Sequence, residues 1–218
     1  MNIVFDFGAV LFGWQPAHIV RQHLPQHVTD NASAQALGKA IFSHADWQAF
    51  DQGLISEQAV VQRTSSRLAL PSSQVASMVA LIGEQLPVIP TSLAVLQQLR
   101  DRRDAGEGKG MGMGESIRLY YLSNMPEPYA RALERNHAFL QWFDDGIFSG
   151  DIKLIKPDTA IYAAATQRFR LQGQTTIFID DSLPNVQAAQ AHGWRTVYLP
   201  SPDQLESKLS EEIGRWPL

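Results

Sequence analysis

Cysteine is absent from the 218-residue sequence. Its absence excludes disulfide bonds, catalysis by a thiolate and metal sites with sulfur ligands. An excess of basic residues is also lacking, because the formal net charge is −4 and the isoelectric point is near 5.8. Nucleic acid is therefore not an expected partner, and neither is an anionic membrane surface.

Long apolar runs are missing as well. Asp6 interrupts the first apolar run, so the N-terminus does not resemble a secretory signal, and no segment reaches the length of a membrane span. The composition is that of a globular protein, with 44% hydrophobic and 18% charged residues. We expect a soluble, cytoplasmic protein that has no membrane partner.

The sequence does contain short apolar runs that alternate with helical patterns. The runs predict buried strands over residues 2–6, 117–122, 147–148, 175–179 and 196–199. Helices are predicted after the second, third and fourth strands, and a last one over 202–213. This alternation predicts an α/β fold with a doubly wound, parallel, Rossmann-like sheet.

The segment between the first two strands has no strand pattern. Helices are predicted there over 16–24, 34–42, 56–68 and 72–86, with Ser56 and Ser72 as N-caps. We predict that residues 16–87 form a helical cap subdomain, inserted into an α/β core made of residues 1–15 and 88–218.

Residues 104–115 hold five glycines in the connection between a helix and a strand. A phosphate-binding loop has a strand before it and a helix after it, and this segment lacks that context. A flexible loop without a nucleotide site is the favoured interpretation.

Chemically useful groups stand where the predicted strands end or where a helix begins. They are Asp6, Gly8, Ser123, Asn124, Lys156, Asp180, Asp181 and Asn185. Because ligands of open parallel sheets bind beyond the carboxyl ends of the strands, these residues predict one site.

Several of these groups have an ordinary structural explanation beside the functional one. Asp6 can be a nucleophile or a metal ligand, but aspartate is also a common turn residue. Ser123 and Asn124 can bind an anion or cap a helix. Lys156 can neutralise a phosphoryl group or a carboxylate intermediate, or it can be a solvated surface lysine.

The Asp180–Asp181 pair is harder to explain without a ligand. Adjacent carboxylates repel each other unless a cation or protons compensate their charge. Oxygen ligands without a nearby histidine or cysteine favour Mg²⁺. A helix cap accounts for one of these carboxylates but not for both.

Taken in order, four segments resemble the motifs of the haloacid dehalogenase (HAD) superfamily of phosphohydrolases. The segments are FDFGAVLF, YLSN, SGDIKLIKPDTAIY and FIDDSLPNVQAA, and with the inserted helices the resemblance covers nearly the whole chain. The FDFG opening and FDQGLIS at residues 50–56 are similar to sugar-phosphate phosphatases related to glucose-1-phosphate phosphatase.

The resemblance implies a Mg²⁺-dependent phosphatase that hydrolyses a small phosphorylated metabolite, such as a sugar phosphate. Asp6 would form an aspartyl-phosphate. Mg²⁺ would be bound by Asp6, the Gly8 carbonyl and Asp181, and Asn185 would bond to the waters of the metal.

The same resemblance assigns the phosphoryl group to three residues. Ser123, helped by the backbone of Asn124, would bind a phosphoryl oxygen, and Lys156 would neutralise the transition state. Asp180 would lie beside the metal ligands and hold Lys156 or a metal-bound water.

Gly8 departs from the family pattern, which has a second aspartate at this position as general acid and base. Such a group is typically worth about 10²–10⁴ in rate. Its absence predicts a substrate with a good leaving group, such as a sugar 1-phosphate, or another proton donor.

This departure keeps two alternatives open. A metal-independent 2-haloacid dehalogenase resembles the chain in Asp6, Ser123 and Lys156, although the Asp180–Asp181 pair speaks against it. A catalytically silent HAD-fold binding protein is the other. Five aromatic or polar residues are candidates to face the substrate but are equally explained by packing or solvation: Trp14, Gln15, His18, His44 and Trp47.

Overall fold

The computed structural model describes residues 1–106 and 116–214, and its centre is a five-stranded parallel sheet. The strands are β1 (Asn2–Phe5), β2 (Arg118–Ser123), β3 (Asp145–Phe148), β4 (Thr176–Asp180) and β5 (Arg195–Tyr198). Their order in the sheet is β3-β2-β1-β4-β5. The predicted parallel α/β fold is confirmed.

The register of the central strand brings the predicted site residues to one edge. Phe5 of β1 pairs with Tyr121 on one side and Ile179 on the other. Asp6, the next residue, donates its backbone N–H to the Ile179 carbonyl at 2.9 Å. The ends of β1, β2 and β4 therefore open on the same crevice.

Helices cover both faces of the sheet, as the alternating side chains of its strands require. Ile3 and Phe5 belong to one buried cluster, and Val4 belongs to the other. The helices of this part of the chain are α6 (Pro90–Ala105), α7 (Glu127–Asn136), α8 (Ser149–Ile152), α9 (Thr159–Phe169), α10 (Leu183–Ala191) and α11 (Leu205–Ile213).

Five helices lie between β1 and α6, and we call them the inserted helices. They are α1 (Pro16–His23), α2 (Asn31–Phe42), α3 (Ala45–Asp51), α4 (Glu57–Leu68) and α5 (Ser72–Gln85). The strand-free helical segment was predicted, and the division into core and cap at residues 15/16 and 87/88 stays a prediction.

The predicted N-caps and starting residues of the inserted helices were partly right. Ser56 caps α4 by accepting a hydrogen bond from the Ala59 N–H, as predicted. The prediction for Ser72 was wrong, because the N-cap of α5 is Pro71. α2 begins at Asn31, before the predicted start, because Asp30 and Ser33 form a capping box there.

The chain crosses between the sheet and the inserted helices twice, and the two crossings lie side by side. The Gly13 N–H donates to the Pro87 carbonyl at 2.7 Å, and the Ile89 N–H donates to the Leu11 carbonyl at 2.8 Å. We call this pair of crossings the paired linker. It attaches the inserted helices at the edge of the sheet where β1 ends.

Residues 107–115, most of the glycine-rich segment, lie outside the described residues, so the assignment of this segment as a loop stays a prediction.

Within residues 1–106 and 116–214, every helix is too short or too polar to cross a bilayer.

Candidate active site

A buried lysine joins the ends of two strands. The Nζ atom of Lys156 lies 2.9 Å from Oδ1 of Asp6 and 2.7 Å from Oδ2 of Asp180. All three residues are buried, so the ion pairs are shielded from water. Burial opposes the charge of the lysine, but Asp180 and Asp6 outweigh it and raise the pKa of Lys156. The lysine therefore stays a cation beside both carboxylates.

Asp180 is held by bonds to both of its oxygens. Oδ1 accepts the Ser182 N–H at 2.8 Å, and Oδ2 accepts the Lys156 ammonium. The Asn185 amide donates to Oδ1 at 3.1 Å and to Oδ2 at 3.0 Å. Burial raises the pKa of Asp180 to about 6, against the opposing effect of Lys156. These contacts suit Asp180 to positioning the lysine, and they turn Asn185 toward Asp180.

Asn124 holds the backbone of Lys156 from the opposite side. Its Nδ2 donates to the Lys156 carbonyl at 3.0 Å, and its Oδ1 accepts the Lys156 N–H at 2.9 Å. The sequence predicted only backbone help from this residue, because a contact between side chain and backbone 32 residues away leaves no local pattern. Ser123, the neighbour of Asn124, is buried at the end of β2.

Three carboxylates converge at this edge of the sheet. Asp6, Asp180 and Asp181 each place an oxygen within 4.8 Å of the other two. Burial, followed by the charges of Asp6 and Asp180, raises the pKa of Asp181 to about 7. Oδ1 of Asp6 is buried, and the Lys156 ammonium 2.9 Å away is its partner. A set of three converging carboxylates, which are hard oxygen donors, fits Mg²⁺.

Gly8 lies two residues beyond Asp6, and Trp14 occupies the space beside it. A Cβ atom added to Gly8 would lie 3.8 Å from the Trp14 Cβ, which is an ordinary contact. The backbone at Gly8 has an ordinary φ, so glycine is not needed for the turn. An aromatic ring therefore stands next to the position where the family pattern has a carboxylate.

These residues line a cavity of about 160 Å³ between the sheet and the inserted helices. Its floor is charged and polar, and we define it by Asp6, Ser123, Lys156 and Asp181. Its remaining lining is mainly apolar, and we call this part the aromatic wall: Phe12, Trp14, Phe42, Trp47, Leu86, Met125, Pro126 and Tyr129. The rings of Trp14, Phe42 and Trp47 pack against one another, with centroids 4.6–6.4 Å apart.

The five residues predicted to face a substrate separate into two groups. Trp14 and Trp47 line the cavity. Gln15 and His18 line a different cavity, between α1 and α5, and His44 caps α3 through its Nδ1.

One charged lining residue was missed by the sequence predictions. Asp51, at the end of α3, lines the cavity from the side of the inserted helices. The FDQGLIS segment that carries it had been noted only for its resemblance to sugar-phosphate phosphatases. No local pattern showed that Asp51 lines the same cavity as Asp6.

Solved structures of known proteins share this fold. A predicted HAD-like hydrolase from Porphyromonas gingivalis matches 99% of the chain and 98% of its own, with a TM-score of 0.72 and 21% identity. A HAD family enzyme from Bacteroides thetaiotaomicron, crystallised with magnesium and inorganic phosphate, matches 90% of the chain and 92% of its own, with a TM-score of 0.66 and 19% identity.

Sequence comparison gives a closer relationship. The sesquiterpene phosphatase AstK of Aspergillus oryzae is 28% identical over 197 residues, which are 90% of this chain and 88% of that protein. The model of haloacid dehalogenase-like hydrolases matches residues 3–193. The chain therefore belongs to the haloacid dehalogenase-like hydrolase family.

Proposed function

We propose that the protein is a Mg²⁺-dependent phosphatase that cleaves a phosphate monoester through an aspartyl-phosphate on Asp6. The observation that carries the proposal is the buried Asp6 carboxylate, which lies between a lysine and two further carboxylates. The similarity to a sesquiterpene phosphatase over most of both chains supports phosphoryl chemistry.

The residues of the floor supply the parts that a phosphoryl transfer needs. An oxygen of Asp6 attacks phosphorus, while Lys156 balances the negative charge of the phosphoryl oxygens. Asp180 and Asn124 fix the lysine in place, and Ser123 binds a phosphoryl oxygen. Because these groups are held before substrate arrives, they need little reorganisation during the reaction.

Magnesium would be held by the Asp6 carboxylate, the Gly8 carbonyl and the Asp181 carboxylate. When bound, it neutralises charge between the nucleophile and the phosphate. The enzyme from Bacteroides thetaiotaomicron, which shares the fold, was crystallised with this metal and with phosphate.

The leaving group that fits the aromatic wall is apolar. A sugar has several hydroxyl groups, and each loses a hydrogen bond to water when it is placed against apolar side chains. A terpenoid or other hydrocarbon chain gains from the same contact. The name of the relative AstK points to this class of substrate as well. We therefore favour an apolar phosphate monoester over the sugar phosphate expected from the sequence.

The test compares farnesyl phosphate with glucose 1-phosphate under identical conditions. We expect release of phosphate with Mg²⁺, a higher kcat/KM for farnesyl phosphate, and loss of activity in EDTA. Asp6→Asn and Asp181→Asn should also abolish it, and Asp6→Asn should prevent acid-stable trapping of phosphate on the protein.

Three results would contradict the proposal in different ways. Full activity in EDTA, together with halide release from 2-chloropropionate, would favour the metal-independent dehalogenase. A preference for glucose 1-phosphate would refute the apolar leaving group alone. Absence of hydrolysis with every substrate would favour the catalytically silent binding protein.

A further inference from the structure

The residue that the proposed mechanism leaves unused is Asp51. It lines the cavity together with Asp6 and Lys156, but it comes from α3, on the side opposite the sheet. Within the described parts of the chain, no group hydrogen-bonds to this carboxyl. A carboxyl without a partner, in a cavity that holds a nucleophile, is available to a substrate.

The end of α3 is fixed to the sheet side of the cavity at several points. The Ser149 hydroxyl donates to the Asp51 carbonyl at 2.5 Å and accepts the Met125 N–H at 2.8 Å. The Gln52 side chain donates to the Lys153 carbonyl at 2.9 Å. Asp51 is therefore held next to the end of β3 through its backbone carbonyl, which leaves its side chain free.

The turn after Asp51 packs so closely that a side chain would not fit. Gly53 has a φ of +71°, and a Cβ atom there would lie 2.6 Å from the Gly150 carbonyl oxygen. Glycine at this position lets the two backbones touch. This contact sets the distance between α3 and the short helix α8.

The surroundings of Asp51 favour its protonated form. Burial raises the pKa of this carboxyl well above its ordinary value. The charged groups that share the cavity are Asp6, Asp181 and Lys156, and Tyr129 of α7 faces it as well. The Tyr129 hydroxyl donates to the Val79 carbonyl at 2.7 Å, which engages its proton elsewhere.

We propose that Asp51 is the catalytic proton donor to the leaving-group oxygen and supplies the acid that Gly8 cannot. The inference rests on the proposed phosphatase function. It explains how a chain with glycine at this position can act on esters whose leaving group is a poor one.

The proton transfer from Asp51 accompanies the cleavage of the ester bond. An oxygen of Asp6 forms a bond to phosphorus, and the ester P–O bond breaks with its electron pair remaining on the leaving oxygen. That oxygen takes the proton of Asp51 and departs as an alcohol. Water then attacks the phosphorus of the aspartyl-phosphate, and the bond between phosphorus and the Asp6 oxygen breaks with its electron pair remaining on the Asp6 carboxylate. The water gives its proton to the Asp51 carboxylate, which restores the acid, and phosphate is released.

The experiment measures Asp51→Asn against two substrates in the presence of Mg²⁺. Octyl phosphate needs a proton on its leaving oxygen, whereas p-nitrophenolate departs as an anion. We expect kcat/KM to fall about 10²–10⁴-fold for octyl phosphate and to change little for p-nitrophenyl phosphate. With p-nitrophenyl phosphate the variant should also release a burst of p-nitrophenol equal to the enzyme, because the second step loses its base.

The matched control is Asp46→Asn. Asp46 lies on the same helix and undergoes the same chemical change, but it forms an ion pair with Arg63 at 3.1 Å and does not line the cavity. Its kcat/KM values should keep the wild-type ratio between the two substrates. A circular-dichroism melt accompanies each variant, and Asp51→Ala takes the same test if the asparagine variant does not fold.

An equal loss for both substrates without a burst would overturn the inference, because it would give Asp51 a role in binding or folding only. An unchanged rate with octyl phosphate would overturn it too. Neither result would contradict the proposed phosphatase function of the wild type. Absence of that activity in the wild type would overturn the proposed function, and the inference with it.

Discussion

The floor of the cavity and the aromatic wall are built on different principles. In the floor, the Lys156 ammonium lies 2.9 Å from Asp6 at the end of β1 and 2.7 Å from Asp180 at the end of β4, so its ion pairs join two strand ends. In the wall, Trp14, Phe42 and Trp47 meet through ring contacts without directional bonds. The floor is thus suited to one reaction, whereas the wall can change shape and still exclude water.

This difference follows from where the two parts stand in the fold. Strand ends in a parallel sheet are fixed by the ladder on both sides, so the floor inherits its geometry from the register of β1 with β2 and β4. The wall comes mostly from helices and linkers, whose side chains can be exchanged without moving the sheet. We expect changes in the floor to affect chemistry and stability, and changes in the wall to affect the choice of substrate.

The largest effect should come from Lys156→Met. The change leaves Asp6 and Asp180 buried without their cation, and breaking a buried pair in this way costs about 3–5 kcal/mol of stability. Loss of the charge at the phosphoryl group should lower kcat about 10²–10³-fold. Urea unfolding in EDTA and initial rates in Mg²⁺ measure the two effects.

Lys39→Met provides the control, because Lys39 is exposed on α2. It should unfold and react like the wild type. Unchanged stability in Lys156→Met would show that the floor does not depend on this ion pair.

The second largest effect should be on the pH dependence of the free energy of unfolding in the absence of metal. Asp181 has a pKa of about 7 in the folded protein, raised by burial and then by Asp6 and Asp180, against 3.8 ordinarily. Between these values the unfolded chain binds fewer protons, so the free energy of unfolding should fall as pH rises from about 4 to 7, by at most about 1.4 kcal/mol per pH unit for this group. Asp180, with a pKa of about 6, acts in the same direction.

Urea unfolding in EDTA at pH 5 and pH 7.5 measures this slope. Mg²⁺ should raise the free energy of unfolding more at pH 7.5 than at pH 5, because the ligands no longer carry protons. Asp181→Asn should reduce both effects. A stability in EDTA that increases over this window would contradict the assignment.

A smaller effect is expected from Trp14→Leu, which tests the wall. Trp14 is partly buried and packs edge-on against Phe42, with ring centroids 5.2 Å apart. Loss of its ring should lower kcat/KM for farnesyl phosphate about tenfold, which corresponds to about 1.4 kcal/mol, and leave glucose 1-phosphate within about threefold of the wild type.

Trp142→Leu is the matched control for this test. Trp142 is a partly buried tryptophan that lies under the Arg100 guanidinium, 4.2 Å from it, and does not line the cavity. The ratio between the two substrates should not change in this variant. An equal loss for both substrates in Trp14→Leu would mean that the wall supports the floor instead of selecting the leaving group.

The smallest effect should come from Gly8→Ala, at the junction of floor and wall. The new Cβ would make an ordinary contact with Trp14 at 3.8 Å, and the backbone is in a conformation open to alanine. We expect a stability change within about 1 kcal/mol, with the increase that alanine gives in a compatible position. A thermal melt measures it, and a marked loss would mean that the ring of Trp14 cannot adjust.

The sequence predicted the floor because its residues stand beside apolar strands, and parallel strands bring their carboxyl ends together. It did not predict α3, whose seven residues bury only Trp47 and Phe50 and give no long helical pattern. It also missed the Asn124 clamp and the place of Asp51. These depend on partners far along the chain, such as Ser149, which is 98 residues from Asp51.

The paired linker has a consequence for the timing of turnover. The two crossings are hydrogen-bonded to each other, through Gly13 and Pro87 and through Leu11 and Ile89, so the chain passes between the sheet and the inserted helices in a narrow ribbon. We expect them to rotate about this ribbon when substrate enters and when alcohol leaves. Such a rotation breaks the hydrogen bonds from Ser149 to Asp51 and from Gln52 to Lys153, and it separates Asp51 from Asp6 while the ion pairs of Lys156 stay in place. In the proposed mechanism the acid Asp51 and the nucleophile Asp6 then meet only in the closed state, and the rate of closing and opening sets an upper limit on kcat.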